Sequence, residues 1–230
     1  MSTRWRLGRG WSEADLRAYL AEMKQRPVNF TLPVEQMTPE HGWIVDGVYA
    51  PIASEPPGPA LPDGPFARAR QALIHYDFSD PHIAEGHFDP ADPLRGRTML
   101  LEMKVLGVLR FLGGVRVHSV RDEQTTEATR FGYRYDTLVG HFERGFEWFL
   151  LEKQHPSGTI CCRIEAHWRP GEFPTWWSRL GFRLIGGRIR EWWRRQAIVR
   201  LRRLARQPAA APSPTAGLVH RGAASPRRTD

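Results

Sequence analysis

Five strand-like segments follow one another between Thr98 and Trp168 with no helical spacer, and this run limits the fold more than any other feature of the chain. They are "TMLLEMKVL", "GVRVHSVRDE", "EATRFGYRYDTL", "GFEWFLLEKQ" and "TICCRIEAHW". The last is the clearest. Ile160, Cys162, Ile164, Ala166 and Trp168 alternate with Cys161, Arg163, Glu165 and His167. That period of two belongs to a strand with one buried and one wet face. The "HPSG" before it is a turn, so the last two segments read as a hairpin. Parallel strands need long crossovers, usually helical, and none is present. The run therefore predicts an antiparallel meander, with "GWIVDGVYA" upstream as a further strand and five to seven strands in all.

Helical patterns flank the meander. Ser12–Gln25 has Ser12 as N-cap, Asp15 as a weak capping-box acid and a Leu16, Tyr19, Leu20, Met23 stripe. Pro65–Tyr76 starts a second helix. Residues 175–206 form the third and longest. The expectation is α+β, one domain over 12–206 with helices on one side of the sheet. Residues 1–11 read as a flexible lead-in, 51–66 as a Pro-rich loop and 207–230 as a disordered Ala/Pro-rich tail. The sheet's apolar face needs a cover, and the last helix is the element long enough to supply it.

That helix carries the charge question. The net charge is +8, yet residues 176–230 hold thirteen arginines against Glu191 and Asp230, so the rest of the chain is mildly acidic. Such asymmetry permits a nucleic-acid or anionic-membrane partner. A packed helix explains it as well. Trp177, Leu180, Leu184, Ile185, Ile189, Trp192 and Val199 fall on one stripe, with Arg179, Arg183, Arg190 and Arg194 largely opposite. This predicts a stripe gripped by the sheet and arginines in water. A Trp-rich basic helix also matches the pattern of a membrane-surface helix. No nucleic-acid motif accompanies it, and a nucleic-acid partner is not expected.

Chemical motifs are sparse. Cys161 and Cys162 are adjacent and point to opposite faces of a strand, so neither a disulfide nor a shared metal is expected, and a reducing cytoplasm fits. No apolar run approaches the length of a membrane span. No phosphate loop or nucleophile elbow occurs. His82 and His87 read as loop or surface histidines, and no metal or cofactor is expected. His141 and Glu143 are the acid/base candidates. In a strand they share a face, where the carboxylate would orient the imidazole and raise its pKa. The other reading is a tight turn bracketed by glycines. Arg116 and His118 share a strand face and either line a pocket or face water.

Three stretches resemble a known family: His75–Glu102, Phe131–Lys153 and Arg163–Phe182. They are similar to the bacterial and plant domains of unknown function called DUF1990, over about Trp43 to Arg203. The most specific part is Gly140, His141, Glu143 and Gly145. The family's pattern has Pro after the histidine and an acidic residue after the last glycine, where this chain has Phe142 and Phe146. The resemblance implies a START-like helix-grip fold, a curved antiparallel sheet wrapped around a long C-terminal helix. It also implies an apolar or lipid-like ligand between sheet and helix. Arg116 or His141 would then fix a polar end, with Trp148, Trp177 and Trp192 as walls. An enzyme on the same fold using His141 and Glu143 is the alternative. A peripheral, anionic-membrane role for residues 176–206 is another, which links of plant relatives to an organelle envelope keep alive. Ligand identity and oligomeric state are not legible.

Overall fold

A computed structural model describes residues 4–105, 107–171, 173 and 176–207, without the side chains of residues 177, 178 and 183–185. The elements are β1 (Arg4–Leu7), α1 (Glu13–Lys24), β2 (Ile44–Ser54), α2 (Pro65–Ile74), β3 (Ala84–His87), β4 (Thr98–Val105), β5 (Leu109–Gln124), β6 (Ala128–Thr137), β7 (Glu143–Gln154), β8 (Thr159–Pro170) and α3 (Trp176–Arg206). The strands form one antiparallel sheet in the order β2-β8-β7-β6-β5-β4-β3, with β1 on the first residues of β5. The chain is therefore α+β, built on a large curved antiparallel sheet.

Strand alternation sorts the sheet into two faces. The inner face carries Met99, Leu101, Val115, Val117, Phe131, Tyr133, Phe149, Leu151, Cys162 and Ile164. These pack on Phe66, Ala69 and Leu73 of α2 and on Trp193, Ala197, Ile198, Leu201 and Ala205 of α3. The outer face is covered too. Leu100 and Leu112, next to inner residues in their strands, pack on Leu16, Tyr19, Leu20 and Met23 of α1. Phe146 and Trp148 pack with Met37 and Trp43 from the segment before β2. The expectation of helices on one side is thus corrected: the apolar stripe of α1 finds its partner on the opposite face from α2 and α3. Its capping box is formed, with the Ser12 side chain accepting from Asp15 N–H and Asp15 accepting from Ser12 N–H.

Two boundaries also differ from expectation. Residues 4–7 are a strand rather than a flexible lead-in, because β5 offers them an open edge. Residues 51–54 continue β2 instead of opening the Pro-rich loop. Pro51 is tolerated there because β2 is an edge strand, and its pairing shifts register between Pro51 and Ala53. The expected tail lies outside the described residues from 208 onward.

The orientation of α3 is the largest correction. Among its described side chains, Trp193, Arg194, Ala197, Ile198, Leu201 and Ala205 are buried, whereas Trp192 is 51% and Val199 56% exposed. The helix is turned so that Arg190 and Arg194, expected in water, face the sheet. Carboxylates on the sheet explain this: Arg194 reaches Asp46 at 2.7 Å and Arg190 reaches Glu143 at 2.6 Å. Among the described residues, no helix is long and apolar enough to cross a membrane.

Candidate functional site

The turn between β6 and β7 places the first site residues. Gly140 has φ +95° and Gly145 φ +148°, conformations that side chains rarely adopt. A Cβ on Gly145 would also lie 2.0 Å from the His167 carbonyl oxygen. Glycine there lets the start of β7 press against β8 and folds His141 inward. The His141 N–H donates to Leu138 O at 3.0 Å. Its ring is 3% exposed and stacks on Phe142 with centroids 4.3 Å apart. A Cβ on Gly113 would lie 2.4 Å from the ring, so β5 must carry glycine beneath it.

The hydrogen bonds fix the state of this imidazole. The Glu143 N–H points at Nδ1 at 2.9 Å, closer than the Glu143 carbonyl oxygen at 3.2 Å, and this assigns Nδ1 as the acceptor. Burial pulls the pKa down to about 4, against the opposing pull of Glu143. The expected rise in pKa is therefore reversed: desolvation outweighs the carboxylate. A neutral ring with Nδ1 as acceptor carries its proton on Nε2. That Nε2 is buried and has no hydrogen-bond partner.

The Glu143 carboxylate is engaged elsewhere. Both its oxygens accept from Arg190 Nη1, at 2.7 and 2.6 Å. The Arg190 guanidinium also lies 3.5 Å from Glu147 and 3.8 Å from Asp46, and stacks over the Trp168 ring at 4.8 Å. These carboxylates override the burial that alone would pull Arg190 down, and its pKa is raised. Glu147 enters from β7 directly opposite Tyr135 of β6. Its Oε2 accepts from the Tyr135 hydroxyl, while Oε1 is buried with no hydrogen-bond partner. Burial raises its pKa, only partly offset by Arg190. The cluster of Arg190 and Arg194 with Asp46, Glu143 and Glu147 has one carboxylate more than it has cations. For Glu147, burial favours the neutral carboxyl, while Arg190 and the Tyr135 hydroxyl favour the ionised one.

Tyr135, His141, Glu143, Glu147 and Arg190 line a cavity of about 40 Å³ under α3, with Ala84 of β3 in its wall and Tyr76, Leu101, Met103, Phe142 and Trp193 completing it. That volume holds roughly two or three waters. Tyr76 is the one non-glycine residue with positive φ among the described residues, at +60°. Its ring is buried against Phe78 and Phe149, and a Cβ on Gly86 would clash with it. A bulky side chain in that region of the map is a strained position held by its surroundings. Larger hollows among the described residues, of about 390, 400 and 520 Å³, are surface grooves lined by other residues.

His141 and Glu143 are thus brought to one cavity, but not to each other's side chains. Arg116 lies on the outer face, donating to Met23 O and Lys24 O at the end of α1. Trp148 packs on the outer face as well, and Trp192 is half-exposed. The Trp177 side chain is outside the described residues. Sequence reasoning missed Tyr76, Tyr135, Glu147 and Arg190. Glu147 left a readable sign: in "EWFLL" it alternates with Phe149 and Leu151, which places a carboxylate on the core face of a strand.

His87, expected at the surface, is 2% exposed in β3, with Nε2 3.1 Å from Glu102. Glu85, His87 and Glu102 bring three metal-ligating atoms within 4.8 Å of one another. Lys104 and Arg110 already hold the two carboxylates, at 2.7 and 2.5 Å.

Among solved structures, the chain is similar to a hypothetical protein, jhp0584, from Helicobacter pylori, at 12% identity and TM-score 0.45, covering 78% of this chain and 98% of that one. It is also similar to Ara h 8.0201, at 11% identity and TM-score 0.39, covering 70% and 97%. A third is an uncharacterized protein from Rhizobium leguminosarum, at 15% identity and TM-score 0.31, covering 70% and 99%. No curated protein sequence matches the chain. The model of the domain of unknown function DUF1990 matches residues 27–206, and the chain belongs to that family.

Proposed function

We propose that this protein is a START-like, helix-grip binding protein that holds a small amphiphilic molecule between the inner face of the sheet and α3. The observation that carries the reading is the pair of buried side chains, His141 and Glu147, each with one polar atom lacking a hydrogen-bond partner, at the wall of a mostly apolar cavity. Buried polar groups are normally satisfied, and an exception points to a ligand or water. Ligand sites combine an apolar wall with a few placed polar groups.

The cavity takes a head group rather than a whole ligand, since sites for drug-sized molecules run to roughly 300–1,000 Å³. The body would lie along the first half of α3. Trp176 and Leu180 precede Arg194 and Ile198 by about five turns at 3.6 residues per turn, so they look the same way as that buried face. Yet they are 78% and 46% exposed. An apolar chain leaving the cavity along α3 would cover them.

Binding is favoured over acid–base catalysis by His141 and Glu143. Glu143 is held through both oxygens by Arg190, and the Nε2 of His141 already carries its proton. A second reading, contact with an anionic membrane, is supported by the exposed Trp192, one helical turn from the exposed Arg188 and Arg195. Co-sedimentation with anionic liposomes tests it, with Arg188 and Arg195 changed to Ser because Arg190 and Arg194 are committed inside.

The binding reading is tested with a neutral fluorescent probe, N-phenyl-1-naphthylamine. The unmodified protein is expected to bind it saturably at one site, and Ala84→Leu, which fills the cavity wall, to weaken binding at least tenfold. Absence of saturable binding, or binding indifferent to Ala84→Leu, contradicts the reading.

A further inference from the structure

The unpartnered atoms around the cavity define what a ligand's head must do. His141 Nε2 carries a proton and has no acceptor. Arg190 Nε, always protonated, has none either. Glu147 Oε1 has no donor. A group that completes this set must accept from the two N–H donors and, opposite an ionised Glu147, donate to its oxygen.

Charge narrows the choice. Arg190 and Arg194 face Asp46, Glu143 and Glu147, so the carboxylates are already in excess. A carboxylate or phosphate head adds a further buried negative charge and has no proton to give Glu147. An ammonium head has donors only, and leaves His141 Nε2–H and Arg190 Nε–H unpaired. A hydroxyl accepts twice and donates once, and a carboxamide also does both.

We infer that the head bound in this cavity is uncharged and both donates and accepts hydrogen bonds, an alcohol or a primary carboxamide on an apolar chain. The inference rests on the binding reading above. Size agrees with it, since a cavity of about 40 Å³ takes a few non-hydrogen atoms of a head, with the apolar body outside it along α3. Glu147 sets the specificity: it is the acceptor that separates a head with a proton from an ether of equal length.

The experiment is displacement of bound N-phenyl-1-naphthylamine at pH 8 by decan-1-ol, decanamide, 1-methoxydecane, decanoate and decylammonium, each below its aggregation limit. Decan-1-ol and decanamide are expected to bind at least tenfold tighter than either charged head and severalfold tighter than the ether. In Glu147→Met the advantage over the ether should vanish, whereas Glu147→Gln, which keeps an acceptor and the side chain's shape, should retain it. Circular dichroism checks that both variants are folded, and should Glu147→Met not fold, the five heads on the unmodified protein decide. Equal affinity for all five heads, or a preference for a charged one, overturns the inference and leaves the binding reading standing. Failure of the probe to bind at all overturns both.

Discussion

Lys153 takes a charge into the interior. It is one of three lysines in the chain, and its side chain and that of Glu55 are fully buried, 2.8 Å apart. Glu55 also accepts from Leu61 N–H and Phe66 N–H, so the pair ties the Pro-rich loop and the start of α2 to β7. Removing one partner leaves an uncompensated buried charge. Lys153→Met should destabilise the fold by about 3–5 kcal/mol in urea unfolding. Adding Glu55→Gln should restore part of that loss. His141 gives a pH signature. Its folded pKa of about 4 lies below the roughly 6.5 of an unfolded histidine. The unfolded chain thus binds the extra proton between those values, and the stability His141 contributes is full above pH 6.5 and falls as pH drops towards 4. The loss should approach about 3 kcal/mol, and His141→Gln should flatten that part of the profile of stability against pH. At this scale the sequence pointed to His141 through its spacing from Glu143 in the segment that carries the family resemblance, while the glycine brackets spoke for a turn. It hid Arg190, because an arginine beside tryptophans on a basic helix looks solvated until the carboxylates opposite it are known.

Within α3, adjacent tryptophans separate the two possible orientations of the helix. Trp193 is buried, with its indole N–H on Ser79 Oγ at 2.9 Å, while Trp192 is half-exposed. Trp193→Ala should cost about 3–5 kcal/mol. Trp192→Ala should stay within about 0.5 kcal/mol, as surface changes do. Urea midpoints of the two variants check this, and similar values would contradict the orientation described. The wheel read from sequence favoured Trp192 and Val199 because it counted large apolar residues. The face that packs combines Trp193, Ile198 and Leu201 with small residues, Ala197 and Ala205, which carry little weight on a wheel. The central strands were legible because they are long and alternate. Strands β1 and β3 were not, since four residues each hold too little pattern to show a period.

Taken as one molecule, the sheet has both faces covered, and the two covers differ in kind. On the outer face, α1 and the segment before β2 bring apolar side chains to apolar side chains, and Arg116 closes the end of α1. On the inner face α3 brings two arginines to three carboxylates beside a cavity. Arg116 and Trp148 thus lie on the face away from the cavity. The strand run made the α+β class legible. Which face each helix covers was not, because strand alternation marks two faces without naming their partners. The central claim is that the inner cavity holds the head of a small amphiphile. Native mass spectrometry of the protein purified from its own host tests it most directly. A bound species of a few hundred daltons, released on denaturation and absent from the Ala84→Leu variant, is the predicted result. A spectrum at the mass of the bare chain, from protein that also fails to take up the neutral probe, would contradict it.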